Sequence, residues 1–170
     1  RPVDILHDGF DCVIRTGALP EDGVIARPLG KLTMVNCASP HYLTRFGYPQ
    51  SPDDLTSHAI VRYTPHLGVH PLGFEVASVN GVQWFKSGGM LTVNSSENYL
   101  AAGLAGLGII QIPRIAVREA LRAGRLIEVL PGYRAEPLSL SLVYPQRREL
   151  SRRVNLFMQW LAGVMKEHLD

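Results

Sequence analysis

The stretch Asn94-Ser-Ser-Glu-Asn-Tyr-Leu-Ala-Ala-Gly-Leu-Ala-Gly-Leu-Gly-Ile-Ile-Gln-Ile-Pro113 changes its hydrophobic period partway along, and reads as a helix feeding a strand. Asn94, Ser95 or Ser96 can offer a side-chain oxygen to the free N–H groups of a first turn, and Glu97 falls three residues after Asn94, as a capping box requires. Leu100, Leu104 and Leu107 recur at helical spacing, while Ala101, Ala102, Gly103, Ala105 and Gly106 are small enough to let the helix lie close on a sheet. Gly108 suits the left-handed position that closes such a helix. Ile109-Ile110-Gln111-Ile112 is then a short buried-strand run stopped by Pro113. With Leu91-Thr92-Val93 ahead of the cap, the stretch is a β-α-β unit.

The flanking sequence continues the alternation. Phe74-Glu-Val-Ala-Ser-Val, Asn80-Gly81 and Val82-Gln-Trp-Phe-Lys86 make the pattern of an edge β-hairpin, with Asn80 and Gly81 as the two positive-φ residues of a type I′ turn. Ser87-Gly88-Gly89 reads as a turn. Residues 60–63 read as a strand and 64–72, with two prolines and a glycine, as a loop. Ser39-Pro40 starts one short helix, with Tyr42, Leu43 and Phe46 as its apolar face and Gly47 as its end. Ser51-Pro52-Asp53-Asp54-Leu55 starts another, with two acids where the helix dipole favours them. Residues 24–29 and 32–38, separated by Gly30-Lys31, suit buried strands. Phe10-Asp-Cys-Val-Ile-Arg15 suits a strand ending at Thr16-Gly17, behind a partial helix over 3–8 closed by Gly9. Downstream come a helix over 113–123 closed by Gly124, a strand over 126–130 and a Pro131-Gly132 turn. Leu138, Leu140, Leu142 and Tyr144 alternate with Ser139, Ser141 and Val143 in a strand, apolar on one face, that Pro145 stops. Ser151 caps a last helix whose wide apolar face is Val154, Leu156, Phe157, Trp160, Leu161 and Val164.

A chain of 170 residues can bury a core as one domain or two small lobes. With 46% hydrophobic residues, 19% charged residues and a net charge of +2, charge alone makes no case for a bare DNA-binding domain. Cys12 and Cys37 lie in apolar runs without metal-type spacing, and read as buried free thiols of a reducing compartment. No run approaches the roughly 18 apolar residues of a membrane span, and Arg1-Pro-Val-Asp4 is no secretory signal, so a cytoplasmic protein with no membrane partner is expected.

Catalytic chemistry finds little support. There is no HExxH, GxSxG, phosphate loop or GxGxxG, and Gly103, Gly106 and Gly108 are wrongly spaced for a dinucleotide turn. His66 and His70 are four apart, but Gly68 and Pro71 break the helix that would align them and no third ligand is near. The expectation is therefore no catalytic residue, no metal and no cofactor. A binding role remains. Alternating strands and helices imply a mostly parallel α/β sheet, in which ligands sit beyond the carboxyl ends of the strands. Polar residues fall at four such ends: Arg15-Thr16-Gly17, Asn36 to Ser39, Asn94-Ser95-Ser96, and Gln111 before Pro113. Each has a plainer role as well. Asn94, Ser95 and Ser96 can simply cap their helix. Arg15 can form an ion pair, although a cation beside helix N-termini also suits a carboxylate ligand. Gln111 needs a hydrogen-bond partner, from the protein or from a ligand.

Phe10-Asp-Cys-Val-Ile-Arg-Thr-Gly17, Arg27-Pro-Leu-Gly30, Cys37-Ala-Ser-Pro-His-Tyr-Leu43, Gly47-x-Pro49, Ser51-Pro-Asp-Asp-Leu55, Gly103-Leu-Ala-Gly-Leu-Gly-Ile-Ile-Gln-Ile-Pro113, Gly124-Arg-Leu126 and Val143-Tyr-Pro145 occur in an order and spacing that covers essentially the whole chain. The set resembles the effector-binding domain of LysR-type transcriptional regulators. The resemblance implies an α/β, two-lobed periplasmic-binding-protein-like fold with two crossover strands and a small-molecule effector between the lobes. The crossings would lie near 34–38 and 142–145. Lobe one would be residues 1–35 plus 144–170, incomplete at its N-terminus, and lobe two residues 36–143. The family's winged helix-turn-helix has no counterpart in these residues, so DNA would be bound only through that missing domain. Carried over by position, the effector contacts are Arg15, Thr16, Ser39, Asn94, Ser95, Gln111 and Pro113, with Pro113 shaping the wall. A homodimer or homotetramer is implied. The rival readings are a periplasmic-type solute-binding protein or an enzyme on the same fold, or a pure dimerisation module.

Overall fold

The computed structural model describes residues 9–17, 23–64, 73–86, 88–146, 150–166 and 169. The helix expected over 3–8, most of the loop at 64–72 and both His66 and His70 lie outside them. The chain divides into two compact units, Met34–Glu136 and the combination of Arg1–Thr33 with Pro137–Asp170.

The second of these is built on a three-stranded antiparallel sheet of β1 (Val13–Thr16), β2 (Val24–Leu32) and β10 (Leu138–Pro145), with β10 in the centre. The central place of β10 changes its expected pattern. Ser141 and Val143 are buried along with Leu140 and Leu142, so both faces are covered rather than one. Gly30 is not a break between strands, because β2 runs through it to Leu32 and absorbs a register irregularity there. Helix α4 (Arg152–Met165) starts at Ser151, whose hydroxyl accepts from the Val154 N–H at 3.3 Å. Its covered stripe is narrower than expected. Val154, Met158, Leu161 and Met165 are buried or half-buried, whereas Leu156, Phe157, Trp160 and Val164 are exposed, with the Phe157 and Trp160 rings 5.8 Å apart.

The larger unit holds the β-α-β stretch. Strand β4 (Ala59–Tyr63) pairs in parallel with β7 (Gly88–Val93), and a parallel bridge from Ile60 to Ile109 joins β4 to the start of β8 (Ile110–Pro113). Antiparallel pairing then adds β3 (Met34–Ala38) beside β8, and the two-residue β9 (Ile127–Glu128) beside β3. The sheet is thus mixed, and among the described residues β4/β7 is its one parallel ladder. A mostly parallel sheet was expected from the alternation of strands and helices. That alternation is not uniform, since β3 alone enters in the opposite direction, antiparallel to both β8 and β9, and Phe74–Ser78 (β5) with Gly81–Phe85 (β6) forms a separate hairpin.

Each sheet face carries its own core. Val35, Cys37, Val61, Ile110 and Ile112 pack with Tyr99 and Ala102 of α2 (Ser96–Leu104) and with Val117 and Ala120 of α3 (Arg114–Arg122). On the other face Ala38, Ile60 and Ile109 pack with Tyr42 and Leu43 of α1 (Pro40–Phe46), Leu55, and Phe74 and Val76 of β5. Each fully buried Ile, Leu or Phe contributes roughly 1.5–3 kcal/mol by leaving water. Close packing sets the small residues. A Cβ on Gly103 would stand 2.6 Å from Ile110 Cδ1, and one on Gly108 2.6 Å from the Ala59 carbonyl oxygen.

Local expectations shift by one or two residues in several places. Ser95, not Asn94, is the cap of α2, so Glu97 falls one position short of a capping box. The left-handed closing residue is Gly106 (φ 77°), with Leu107 N–H on the Ala102 carbonyl and Gly106 N–H on Gly103. Leu107 is consequently outside the helix and exposed. The Ser51 signal makes a 3-10 turn, Pro52–Thr56, with a capping box to Asp54. The hairpin pairs Ser78 with Gly81, so its tip is Val79-Asn80 rather than a type I′ Asn80-Gly81, and only Gly81 takes positive φ. Gly88 and Gly89 are strand, not turn. Cβ atoms there would meet the backbone oxygens of His58 and Ile60 at 3.0 and 2.9 Å, so the glycines let β7 approach β4. The strand expected over 126–130 shrinks to two residues, after which Leu130 takes φ 48°. Cys37 is buried and Cys12 half-buried just before β1, and both are free.

Candidate functional site

Because β4, β7 and β8 run the same way, their carboxyl ends share one edge of the larger unit. Thr64 follows β4 and donates its backbone N–H to the Val93 carbonyl at 2.9 Å. Asn94 and Ser95 follow β7, and Pro113 ends β8, paired with Met34. The structure therefore brings Asn94, Ser95 and Pro113 to one edge, with the starts of α2 and α3 beside them.

The two helix starts differ. Ser95 Oγ accepts from the Asn98 N–H at 3.2 Å and donates to Glu97 Oε2 at 2.7 Å, so α2 is capped and carries an acid. The Ser95 hydroxyl, followed by local backbone donation, holds the Glu97 carboxyl below the usual carboxylate range. At α3 the cap position is Pro113, which offers no side-chain acceptor, and the first turn contains no acid. An anion would complement the α3 start better than the α2 start.

Gln111 lies two residues in from the edge, and its partners are protein. Its Nε2 donates to Asn36 Oδ1 at 2.9 Å and to the Glu75 carbonyl at 2.8 Å, while Oε1 accepts from the Glu75 N–H at 3.2 Å. Asn36, directly across the ladder and fully buried, donates through Nδ2 to the Tyr133 carbonyl at 2.8 Å and to the Leu130 carbonyl at 3.2 Å. Tyr99 of α2 completes the arrangement, accepting the Gln111 N–H at 2.9 Å and donating to the Gln111 carbonyl at 3.3 Å. Burial pushes the Tyr99 phenol up to about 12, so it stays a neutral donor. The amide pair thus ties β3, β8, the hairpin and the turn at 130–133 together. Sequence showed a polar residue in each of two apolar runs, but not that the two face one another, and the role of Tyr99 carried no signal.

Ser39 lies elsewhere. Met34 pairs with Pro113 and Cys37 with Ile110, so Ser39 sits past the opposite end of β3, roughly 16 Å from Met34 at the usual strand rise. Buried there, its hydroxyl caps α1 by accepting from the Tyr42 N–H at 3.2 Å, and a Cβ on Gly106 would approach it to 3.0 Å. Arg15 and Thr16 belong to the other unit. They stand on β1 opposite Ser141 and Leu140 of β10, Arg15 half-buried and Thr16 exposed. Among the described residues no cluster of three or more His, Cys, Asp or Glu could hold a metal, and no helix is long and apolar enough to cross a membrane.

Residues 1–166 match the LysR substrate binding domain. The chain belongs to that family. It is 99% identical over 170 residues to the HTH-type transcriptional regulator YhjC of Escherichia coli (strain K12), covering 57% of that protein. It is 34% identical over 170 residues to the HTH-type transcriptional repressor PA14_22550 of Pseudomonas aeruginosa (strain UCBPP-PA14), covering 53% of it. The chain thus spans about half the length of the curated relatives it matches. Among solved structures, the regulatory domain of CrgA, a LysR-type transcriptional regulator from Neisseria meningitidis, superposes with a TM-score of 0.80 at 25% identity, over 94% of this chain and 77% of that one. The fold is that of a LysR regulatory domain, and the relatives are named as transcriptional regulators rather than as enzymes.

Proposed function

We propose that the chain is the effector-sensing region of a cytoplasmic, homo-oligomeric LysR-type transcriptional regulator, which contacts DNA through a winged helix-turn-helix outside these 170 residues. The observation that carries this reading is the shared edge of the larger unit. Asn94, Ser95 and Pro113 stand where the carboxyl ends of parallel strands meet two helix starts, and the α3 start has no side-chain cap. A small carboxylate suits that edge, with Pro113 as wall. Arg15 and Thr16, on β1 of the other unit, remain proposed effector contacts on the family resemblance. Gln111 holds Asn36 and Glu75 in place and offers the effector at most a remaining lone pair on Oε1, while Ser39 acts at the far end of β3 as the cap of α1. Effector binding then biases the arrangement of the regulator only by its differential affinity for two states.

A thermal-shift screen against small aromatic and aliphatic carboxylates tests this. A saturable rise in melting temperature that Asn94→Ala weakens is the expected result. The proposal is abandoned if no carboxylate raises it and if Arg15→Ala leaves effector response unchanged in a reporter assay of the full-length regulator.

A further inference from the structure

The larger unit carries a concavity of about 390 Å³ that includes none of the edge residues just described. That volume lies within the range of roughly 300–1,000 Å³ common to small-molecule sites. Its floor is apolar, with Pro52 and Val76 buried and Phe85 half-buried. Asp53, Gln83 and Tyr133 also line it. Among the described residues, the Asp53 carboxylate, the Gln83 amide and the Tyr133 hydroxyl have no hydrogen-bond partner. Other lining polar groups are already engaged, Ser51 in its capping box and Ser78 Oγ on the Gly81 carbonyl at 2.8 Å.

Charge decides what would fit. Among the described residues of the lining, Asp53 alone is formally charged, so they give the concavity one negative charge and no compensating cation. A carboxylate would be repelled there. A cation with an apolar body would meet the Asp53 carboxylate at its head and the rings of Phe85 and Tyr133 along its side, where aromatic faces favour positive charge. We propose that this concavity is a binding site for a small organic ammonium ion, a protonated alkylamine or arylalkylamine, held by Asp53 and by the apolar floor of Val76 and Phe85. The site is distinct in place and in charge preference from the carboxylate-binding edge, so either reading can fail alone. It also abuts the buried amide pair, because the Tyr133 carbonyl that accepts from Asn36 belongs to a residue of its wall. Asp53 stands in the first turn of the 3-10 segment, where a carboxylate complements free N–H groups without any ligand. The test must therefore read a ligand and not the turn.

Benzylammonium chloride is titrated into the 170-residue chain at constant ionic strength and followed by amide chemical shifts, with benzyl alcohol and sodium benzoate as matched neutral and anionic probes. Saturable shifts at Asp53, Val76, Phe85 and Gly132 are expected for benzylammonium, with benzyl alcohol weaker and benzoate without effect. Asp53→Asn should weaken benzylammonium by roughly tenfold, the usual scale for one lost charge-assisted hydrogen bond, and leave benzyl alcohol unchanged. Phe85→Leu should weaken both. Shifts that do not saturate, shifts located elsewhere, or an Asp53→Asn affinity equal to the parent's would overturn the proposal.

Discussion

Replacing Gln111 by leucine separates a structural strut from a ligand contact. The substitution removes three hydrogen bonds, the two donated by Nε2 to Asn36 Oδ1 and the Glu75 carbonyl and the one accepted by Oε1 from the Glu75 N–H. At about 1 kcal/mol net for each, the loss is about 3 kcal/mol. The added apolar surface of leucine returns about 1 kcal/mol, which leaves a destabilisation of about 2 kcal/mol. For a chain of this length that lowers the melting temperature by about 4–8 °C. Urea and thermal unfolding measure it. Hydrogen exchange adds a local reading, since the Glu75 amide loses its acceptor and should exchange faster than its neighbours. Combining Gln111→Leu with Asn36→Ala should recover about 1 kcal/mol of coupling for their mutual bond. A loss below about 0.5 kcal/mol, well under the worth of three such bonds, together with a weakened effector response, would refute the strut and make Gln111 a ligand group.

Gly103→Ala puts a Cβ 2.6 Å from Cδ1 of the fully buried Ile110, so overpacking should outweigh the gain in helix propensity and cost about 1–3 kcal/mol in urea unfolding; Ile110→Val, which removes that atom, should restore most of it. Burial holds the His58 imidazole below its ordinary 6.5 while Asp54 pulls the other way, so the folded protein resists protonation there. The unfolded chain then binds more protons over the window just below 6.5. The His58 contribution to stability is thus present above about pH 6.5 and lost as pH falls below it, a slope that His58→Gln should remove from melting curves between roughly pH 5 and 8. Burial, with the Glu128 carboxylate adding to it, pushes the Cys37 thiol up to about 12, so at about pH 8 a thiol reagent should modify Cys37 only in denaturant. Modification at equal rates with and without denaturant would disprove that burial.

Much of the architecture was written locally. Ser39 and Ser51 ahead of proline, Ser151 ahead of the last helix and Gly124 after α3 each mark an element boundary through groups that lie within a few residues of one another. The misreadings have the same root. Whether Asn94 or Ser95 caps α2, and whether the hairpin turns at Val79-Asn80 or Asn80-Gly81, is decided by pairing with distant strands, which a local pattern does not contain. Gly88 and Gly89 looked like a turn because their actual neighbour, the backbone of β4, is far away along the chain. The same limit held for the candidate site. Asn94, Ser95 and Pro113 were legible as strand ends. That Gln111 would find Asn36 and Glu75, and that the antiparallel sense of β3 would carry Ser39 to the opposite edge, required the register. On α4 the sequence showed a wide apolar face that left out Met158, and only the packed helix shows that the stripe through Met158 is the covered one.

The hairpin has a tethered base and an unencumbered tip. Glu75 is fastened through both backbone groups to Gln111 and Ala77 through its N–H to the Arg134 carbonyl, whereas Val79 projects wholly into solvent. The tip is thus a natural attachment point, at which a fluorophore or an affinity peptide can be carried on a short lever whose root stays fixed to the sheet.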